Sequence, residues 1–332
     1  MSFTLYSEND VDQSFLNKRR VAIIGYGNQG HAHALNLKDN GHHIVIGVRD
    51  QTSETAEKAR CDGFSCMSVE EASKWADVIM LLIPDEAMGS VYADKIAPYL
   101  NAGDALCFAH GFNIHYGYIK PPSNVDICLI APKGPGKLLR REFEAGRGLP
   151  CLIGAAQNAS GNAKTLALSY AHAIGGTRAG VFETTFKEET ETDLFSEQTI
   201  LCGGISNLVL AGFETLTEAG YHPVMAYFEC LHEVKLIGDL IYEKGIAGMR
   251  EAISNTAEFG DYSRGPKVID AAVKQNMKKV LEDIQSGQFA RDWMNTYSND
   301  PKFMSEKRAE SRAHPIEDIG TVVRSKFKFK DL

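Results

Sequence analysis

The sequence lacks the features of a membrane span, an export signal and a nucleic-acid-binding surface. No apolar run reaches the roughly 18 residues typical of a membrane span. Residues 1–10 contain no cationic segment followed by an apolar run, so we expect no export signal. No basic cluster is interleaved with aromatic residues, and the net charge of −8 disfavours a nucleic-acid surface. The seven cysteines form no Cys-x-x-Cys pair, which predicts reduced thiols in a cytoplasmic protein.

Neither a low-complexity linker nor a repeat of fixed period divides the 332 residues, yet the spacing of apolar residues changes part-way along the chain. Short apolar runs alternate with helix-length segments in the first half, as is typical of strands buried in a parallel sheet. After about residue 184, apolar residues recur every three or four positions, which predicts helices. We therefore predict an α/β protein with a doubly wound, Rossmann-like parallel sheet in residues 1–183 and an all-helical domain in residues 184–332. The predicted strands are 21–26, 44–48, 78–83, 105–109, 127–131 and 151–155.

A glycine turn follows the first predicted strand and opens a predicted helix. The unpaired N–H groups at the start of such a helix can bind a pyrophosphate. A structural tight turn would use the same residue types, but the strand–turn–helix context favours a dinucleotide site. The candidate cofactor residues of this turn are Gly25, Tyr26, Gly27, Asn28, Gln29 and Gly30.

The end of the second predicted strand gives two opposing signals about the cofactor. Arg49, Thr52, Ser53 and Thr55 could bind the 2′-phosphate of NADPH. Asp50 would repel that phosphate unless its side chain faces solvent, as turn residues often do. The choice between NADPH and NADH therefore stays open.

Two pairs of carboxylates have four-residue helical spacing, namely Asp193 with Glu197 and Glu229 with Glu233. Residues at this spacing share a helix face, where their oxygens can bind Mg²⁺. The first pair could instead be an acidic helix start that faces water. The second pair lies among apolar neighbours, and Lys235 points to the opposite side of the helix, so a metal ion is the better candidate to neutralise it.

Two basic residues lie where predicted strands end, at the edge at which open α/β sheets place ligands. His110 follows one strand and Lys133 follows the next, although either alone could be an ordinary loop residue. Gly134 and Gly136 then allow close approach of the backbone to a ligand, and a plain turn would need the same residues. Together with the glycine turn and the carboxylates, these residues predict a redox cofactor and a divalent-metal site in one protein.

With these motifs the sequence resembles the ketol-acid reductoisomerases, in their short, class I form. The resemblance runs nearly the whole length of the chain. The segments that match are 25–37, 84–86, 108–114, 131–136, 186–198, 229–233 and 253–258.

The resemblance implies an NAD(P)H-binding Rossmann domain, a helical C-terminal domain and an interlocked homodimer, with assembly into larger homo-oligomers left open. It also implies two Mg²⁺ ions, with one carboxylate pair of each active site supplied by the partner subunit. The implied site residues are His110 and Lys133 in catalysis, Ser254 for the substrate carboxylate, Asp85, Glu86, Ala87, Met88 and Gly136 beside the cofactor, and Asp193, Glu197, Glu229 and Glu233 as metal ligands.

The implied reaction converts 2-acetolactate, or 2-aceto-2-hydroxybutyrate, into 2,3-dihydroxy-3-methyl acids by alkyl migration and reduction with NADPH or NADH, in valine, isoleucine and leucine biosynthesis. A metal-independent hydroxy-acid dehydrogenase would leave the four carboxylates without a purpose. A non-catalytic dinucleotide-sensing dimer would explain only the two-domain layout. The sequence departs from the family in the loop 49–55, which is slightly long, and in the Lys/Phe-rich tail 325–330, which lacks an apolar ending.

Overall fold

The computed structural model describes residues 4–326, so residues 327–330 of the Lys/Phe-rich tail lie outside it. The chain divides into two compact units, the first ending at Thr190 and the second beginning at Glu191. The last strand of the first unit ends at Glu183, where strand-like sequence also stops. The division between the units falls inside the helix that follows.

Unit 1 is built on a nine-stranded sheet with the order β1-β9-β8-β7-β6-β5-β2-β3-β4. Its strands are β1 (Leu5–Tyr6), β2 (Val21–Ile24), β3 (Ile44–Val48), β4 (Ser65–Ser68), β5 (Val78–Leu81), β6 (Ala105–Phe108), β7 (Asp126–Pro132), β8 (Cys151–Gln157) and β9 (Val181–Glu183). The strands from β4 across to β7 all run parallel. The predicted doubly wound α/β fold is confirmed.

The sheet is mixed, however, because β8 runs antiparallel to β7 and β1 runs antiparallel to β9. The expectation that residues 151–155 form another parallel strand is wrong, since an apolar run shows burial but not strand direction. Three strands, β1, β4 and β9, were not predicted. β1 and β9 are very short, and the half-exposed Ser-Cys-Met-Ser of β4 is an edge strand without an apolar run.

Helices cover both faces of the sheet, and alternate strand residues point to the two faces. In β2, Val21 and Ile23 join one apolar core while Ala22 and Ile24 join the other. All four side chains are buried, which explains why the strand is a continuous apolar run. The helices are α1 (Ser14–Asn17), α2 (Asn28–Asp39), α3 (Glu54–Cys61), α4 (Val69–Trp75), α5 (Asp85–Lys95), α6 (Phe112–His115), α7 (Gly136–Glu144) and α8 (Ala163–Ala173).

The described part of unit 2 is helical throughout, as predicted. Two π-helical turns, Glu197–Leu201 and Phe228–His232, interrupt its α-helices. The helices are α9 (Phe186–Ser196), which begins in unit 1, α10 (Gly203–Glu218), α11 (Pro223–Tyr227), α12 (Glu233–Ala252), α13 (Asn255–Val268), α14 (Ala271–Gln285), α15 (Gln288–Asn299), α16 (Phe303–Arg312) and α17 (Pro315–Lys326).

Unit 2 leaves much apolar surface uncovered. Its buried cluster is small, centred on Phe213, Tyr227 and Ile316. Among the described residues, every exposed large apolar side chain except that of Leu5 lies in unit 2. Exposed apolar surface of this extent marks a site of interaction with another molecule.

One helical stretch, Phe186–Glu218, contains an 18-residue window that is long and apolar enough to cross a membrane, by length and composition only. No membrane span was expected, because no continuous apolar run of the sequence reaches roughly 18 residues. Helical continuity through the π turn joins shorter apolar runs into one window. Apolar helices of soluble proteins pass the same test, so this helix alone does not indicate a membrane protein.

Candidate active site

The three glycines of the turn after β2 have three different structural roles. Gly25 has φ of 98°, and a Cβ there would lie 2.5 Å from the carbonyl oxygen of Leu82. A Cβ on Gly30 would overlap the carbonyl oxygen of Gly25, so these two glycines permit close packing. A Cβ on Gly27 would meet nothing within 4 Å. The turn thus leaves open space beside the N-terminus of α2, which fits the pyrophosphate of a dinucleotide.

The side chain of Tyr26 is buried and points to the turn that follows α3. Its hydroxyl donates to Oδ2 of Asp62 at 2.8 Å, and Nε2 of His31 lies 3.5 Å from the same oxygen. Burial, followed by the hydrogen bond to Asp62, raises the pKa of the Tyr26 phenol. Tyr26 can therefore meet a cofactor through its backbone, and Asp62 is a supporting residue that no sequence motif indicated.

The loop after β7 packs against the glycine turn. Nε2 of Gln29 donates to the carbonyl oxygen of Gly134 at 3.0 Å. A Cβ on Gly136 would overlap the carbonyl oxygen of Asn28. The close approach that Gly136 allows is therefore an approach to the glycine turn itself, which holds that turn in place.

The loop after β3 is held by hydrogen bonds within it. Oδ1 of Asp50 accepts from the backbone N–H of Thr52 at 2.8 Å and from its hydroxyl at 2.7 Å. These two bonds lower the pKa of Asp50. Ser53 donates to the Asp50 carbonyl at 2.7 Å and caps α3 by accepting from Ala56. Arg49 and Thr55 are exposed. Of the four residues predicted to bind the 2′-phosphate, Thr52 and Ser53 already donate their hydroxyl hydrogens to Asp50 within the loop.

The carboxyl ends of β6 and β7 bring His110 and Lys133 to one buried carboxylate, that of Glu189 in α9. Nζ of Lys133 lies 2.9 Å from Oε1 of Glu189, and Nδ1 of His110 lies 3.2 Å from Oε2. The backbone N–H of Gly111 donates to Oε2 at 3.0 Å. Burial raises the pKa of Glu189, but His110 and Lys133 together outweigh it, so the pKa lies below its usual range.

Glu189 lies within the matching segment 186–198, but the resemblance implied no role for it. The sequence did contain a pattern that points to Glu189, because Glu189 lies four residues before Asp193 and so continues the spacing of Asp193 and Glu197. Its function depends on contacts with residues 56 and 79 positions away, which no local pattern reveals.

The end of β5 leads into α5, whose first turn holds the predicted residues 85–88. Burial raises the pKa of Asp85, whose Oδ1 accepts from Nδ2 of Asn113 at 3.1 Å. Glu86 and Ala87 are half-buried and Met88 is buried. The ends of β2, β5, β6 and β7 thus place their predicted residues along one edge of the sheet.

In unit 2, Glu229, Glu233 and Ser254 line one cavity of about 680 Å³. Among residues 4–326, neither glutamate has a hydrogen-bond or ion-pair partner, whereas Lys235 pairs with Asp239 at 2.5 Å. Two uncompensated carboxylates and a hydroxyl form a donor set of hard oxygens that fits Mg²⁺.

Asp193 and Glu197 do not line this cavity in the described chain. Asp193 lies near the end of α9, and Glu197 opens the first π turn. Glu229 lies inside the second π turn and Glu233 directly follows it. Such turns are frequent at functional sites. The sequence pattern predicted only regular α-helical spacing at these positions, so the π turns were not expected.

Two family profiles match almost the whole chain. "Acetohydroxy acid isomeroreductase, NADPH-binding domain" matches residues 15–180, and "Ketol-acid reductoisomerase, C-terminal domain" matches residues 186–329. The solved structure of an NADH-preferring ketol-acid reductoisomerase from an uncultured archean is 42% identical, with a TM-score of 0.95, over 98% of this chain and 100% of its own. The chain belongs to the ketol-acid reductoisomerase family. It is an NAD(P)H-dependent oxidoreductase with isomerase activity, of the short class I form, in the branched-chain amino-acid pathway.

More distant structures share only the fold. A semialdehyde dehydrogenase NAD-binding protein from Cupriavidus necator is 19% identical, with a TM-score of 0.63, over 81% of this chain and 99% of its own. A pyrroline carboxylate reductase from Plasmodium falciparum is 16% identical, with a TM-score of 0.52, over 82% of this chain and 98% of its own.

Proposed function

We propose that the protein is a Mg²⁺-dependent ketol-acid reductoisomerase that acts on 2-acetolactate and 2-aceto-2-hydroxybutyrate. The observation that carries this proposal is the cavity shared by Glu229, Glu233 and Ser254. Two carboxylates on one helical segment repel each other, and they need a cation that the described chain does not supply. Mg²⁺ would be held by Asp193, Glu197, Glu229 and Glu233, and when bound it supplies Lewis acidity for alkyl migration.

Ser254 is suited to bind the carboxylate of the substrate. It caps α13, and its Oγ accepts from the backbone N–H of Ala257 at 3.2 Å. A hydroxyl has two acceptor sites and one proton, so the cap leaves the O–H group able to donate. That proton would bind a substrate carboxylate oxygen and orient the substrate in the cavity.

Glu189 would position the two catalytic side chains of unit 1. Its ion pair holds the Lys133 ammonium at the end of β7, where the positive charge can balance negative charge that develops on substrate oxygens. Its contact with Nδ1 of His110 sets the orientation of that ring. We assign His110 to ordering the site near the nicotinamide.

The exposed apolar surface of unit 2 supports a homodimer with shared active sites. Its members include Leu201 (59% exposed), Ile246 (58%) and Phe259 (68%). A second copy would cover such side chains. It would also bring Asp193 and Glu197 of one subunit to Glu229 and Glu233 of the other. We assign the protein to the cytoplasm.

NADPH is the cofactor we expect, with NADH as the alternative. Arg49 is exposed and can meet a 2′-phosphate, and the matching profile of residues 15–180 describes an NADPH-binding domain. Asp50, held as an anion by Thr52, opposes that phosphate, and the 42% identical relative prefers NADH. Rates with the two cofactors side by side decide between them.

Consumption of 2-acetolactate tests the proposal, with NADPH and NADH measured in parallel, each with and without Mg²⁺. Turnover that needs both a nicotinamide cofactor and Mg²⁺ is expected. Hydroxy-acid reduction that survives EDTA would favour the metal-independent dehydrogenase. Tight cofactor binding without turnover would favour the dinucleotide sensor.

Glu233→Gln separates the two half-reactions. The substitution removes a negative oxygen ligand, so isomerisation of 2-acetolactate should fall by at least about 100-fold, more than reduction of a 3-hydroxy-2-keto acid. Glu243→Gln, an exposed change on the same helix α12, is the matched control and should leave both rates unchanged. Equal loss of NADPH binding in the Glu233 variant would contradict the assignment.

A further inference from the structure

Helix α12 is interrupted at one residue, Gly245, whose φ of 71° and ψ of 173° are not helical. This region of backbone conformation is open almost only to glycine. Residues on both sides are helical, so α12 consists of a first arm before Gly245 and a second arm after it.

The first arm and the residues that follow the second arm line the same cavity. The first arm contributes Glu233 and Ile237, and the chain after the second arm contributes Ile253, Ser254 and Ala257. An uninterrupted helix of the 20 residues of α12 would be about 30 Å long and would hold Ser254 far from Glu233. A turn after Ala252 could not bring them together, because Ser254 is only the second residue after that end. The change of direction must therefore occur within α12, at Gly245, where the helical geometry is broken.

We propose that Gly245 is a positioning residue, whose backbone conformation places Ser254 beside Glu229 and Glu233. The inference rests on the proposed role of Ser254 as the substrate-carboxylate donor. Gly245 touches neither the cavity nor any reacting atom, and it acts through the direction that it gives to the second arm.

Gly245 offers a clean test because it is exposed and a Cβ there would meet nothing within 4 Å. Gly245→Ala therefore changes the preferred backbone conformation and introduces no clash. Alanine avoids positive φ, so the second arm should shift and Ser254 should lose its place. The KM for 2-acetolactate should rise at least about tenfold, while the KM for NADPH stays unchanged.

Gly260→Ala in α13 is the matched control. It adds the same methyl group to a helix, its φ is not positive and its Cβ also meets nothing within 4 Å. Its kinetics should match the unsubstituted enzyme. Gly245→Asn is a second test, because asparagine tolerates positive φ but prefers ψ near +47°. Gly245→Asn should therefore lose less folding stability than Gly245→Ala, and it should still raise the KM for 2-acetolactate.

A double-mutant cycle with Ser254→Ala identifies the route of the effect. If Gly245 acts through Ser254, adding Gly245→Ala to Ser254→Ala should raise the KM little further. Additive effects, or an unchanged KM in both Gly245 variants, would overturn the inference and leave the proposed function standing. Loss of folding in both, with Gly260→Ala folded, would assign Gly245 to folding and also overturn it. An unchanged KM in Ser254→Ala itself would remove the proposed role of Ser254, and this inference with it.

Discussion

The buried side chain of Glu189 holds together the carboxyl ends of two strands of unit 1. It is 1% exposed, and it takes two ion pairs and a backbone hydrogen bond from two separate segments of unit 1, the chain after β6 and the chain after β7. A buried carboxylate is costly unless it is paired, and removing one partner of such a pair typically costs about 3–5 kcal/mol. The pairing therefore orders the carboxyl ends of β6 and β7 as well as neutralising the charge.

His33 is another fully buried polar side chain, on the face of α2 that packs on the sheet. Its Nδ1 lies 3.3 Å from the hydroxyl of Tyr170, and its Nε2 has no hydrogen-bond partner among the described residues. Burial lowers the pKa of His33 to about 3. The imidazole is therefore neutral in the folded protein.

His33 should make the folded protein sensitive to acid. Its folded pKa of about 3 lies below the ordinary histidine value of 6.5, so between these values the unfolded chain binds more protons. Stability should fall as the pH drops below 6.5, by up to about 1.4 kcal/mol per pH unit from this group. Urea unfolding at several pH values from 7.5 to 4.5 measures this decline in the free energy of unfolding.

His33→Phe should remove that contribution and flatten the decline in stability. The control is His43→Gln, because His43 is exposed in the folded chain. An equally steep decline in the His33 variant would contradict the argument.

At the scale of elements, Asp62 joins the glycine turn to the end of α3. The carboxylate accepts from Tyr26, while Nζ of Lys38 in α2 donates to the Asp62 carbonyl at 2.6 Å. The other end of α3 begins at the loop 49–55, which we propose meets the ribose of the bound dinucleotide. One side-chain contact therefore couples the two segments of the proposed cofactor site.

Tyr26→Phe should weaken cofactor binding without changing the chemical step. The variant loses a hydrogen bond to a charged group, typically worth about 1.5–3 kcal/mol, and lets α3 move relative to the turn. The KM for NADPH should rise severalfold with kcat little changed. Tyr92→Phe is the control, because among residues 4–326 its hydroxyl donates only a long hydrogen bond, to the Lys120 carbonyl at 3.4 Å. A lower melting temperature with an unchanged KM would show that the contact is purely structural.

At the scale of the whole molecule, two defective subunits should complement each other. Asp193→Asn and Glu233→Gln should each inactivate the homodimer. If every site takes Asp193 from one subunit and Glu233 from the other, a mixed dimer keeps one intact site. Co-expression should restore about one quarter of the wild-type activity, since half the dimers are mixed and each has one good site of two.

The purified mixed dimer, isolated with two affinity tags, gives the direct measurement. The control is co-expression of two chains that both carry Glu233→Gln, which should stay inactive. Absence of activity in the mixed dimer would mean that each chain supplies all four ligands to its own site.

Much of unit 1 could be predicted because its information is local. Each of the six apolar runs became a strand, and the spacing of Gly25, Gly27 and Gly30 identified the turn. Edge strands were missed because Ser65–Ser68 is half-exposed and not apolar. In unit 2 the helical period was recognised, but the π turns and the break at Gly245 were not, since one residue changes the helical path without changing the period.

Local sequence decided the alternation of strands and helices, the glycine turn and the two spaced carboxylate pairs, because residues within one helical turn or one strand specify these features. Tertiary structure alone decided that β8 runs antiparallel to β7, that Asp62 holds Tyr26 and that Glu189 gathers His110 and Lys133. These contacts join residues far apart in the chain, and their geometry depends on how buried surfaces pack rather than on any local pattern.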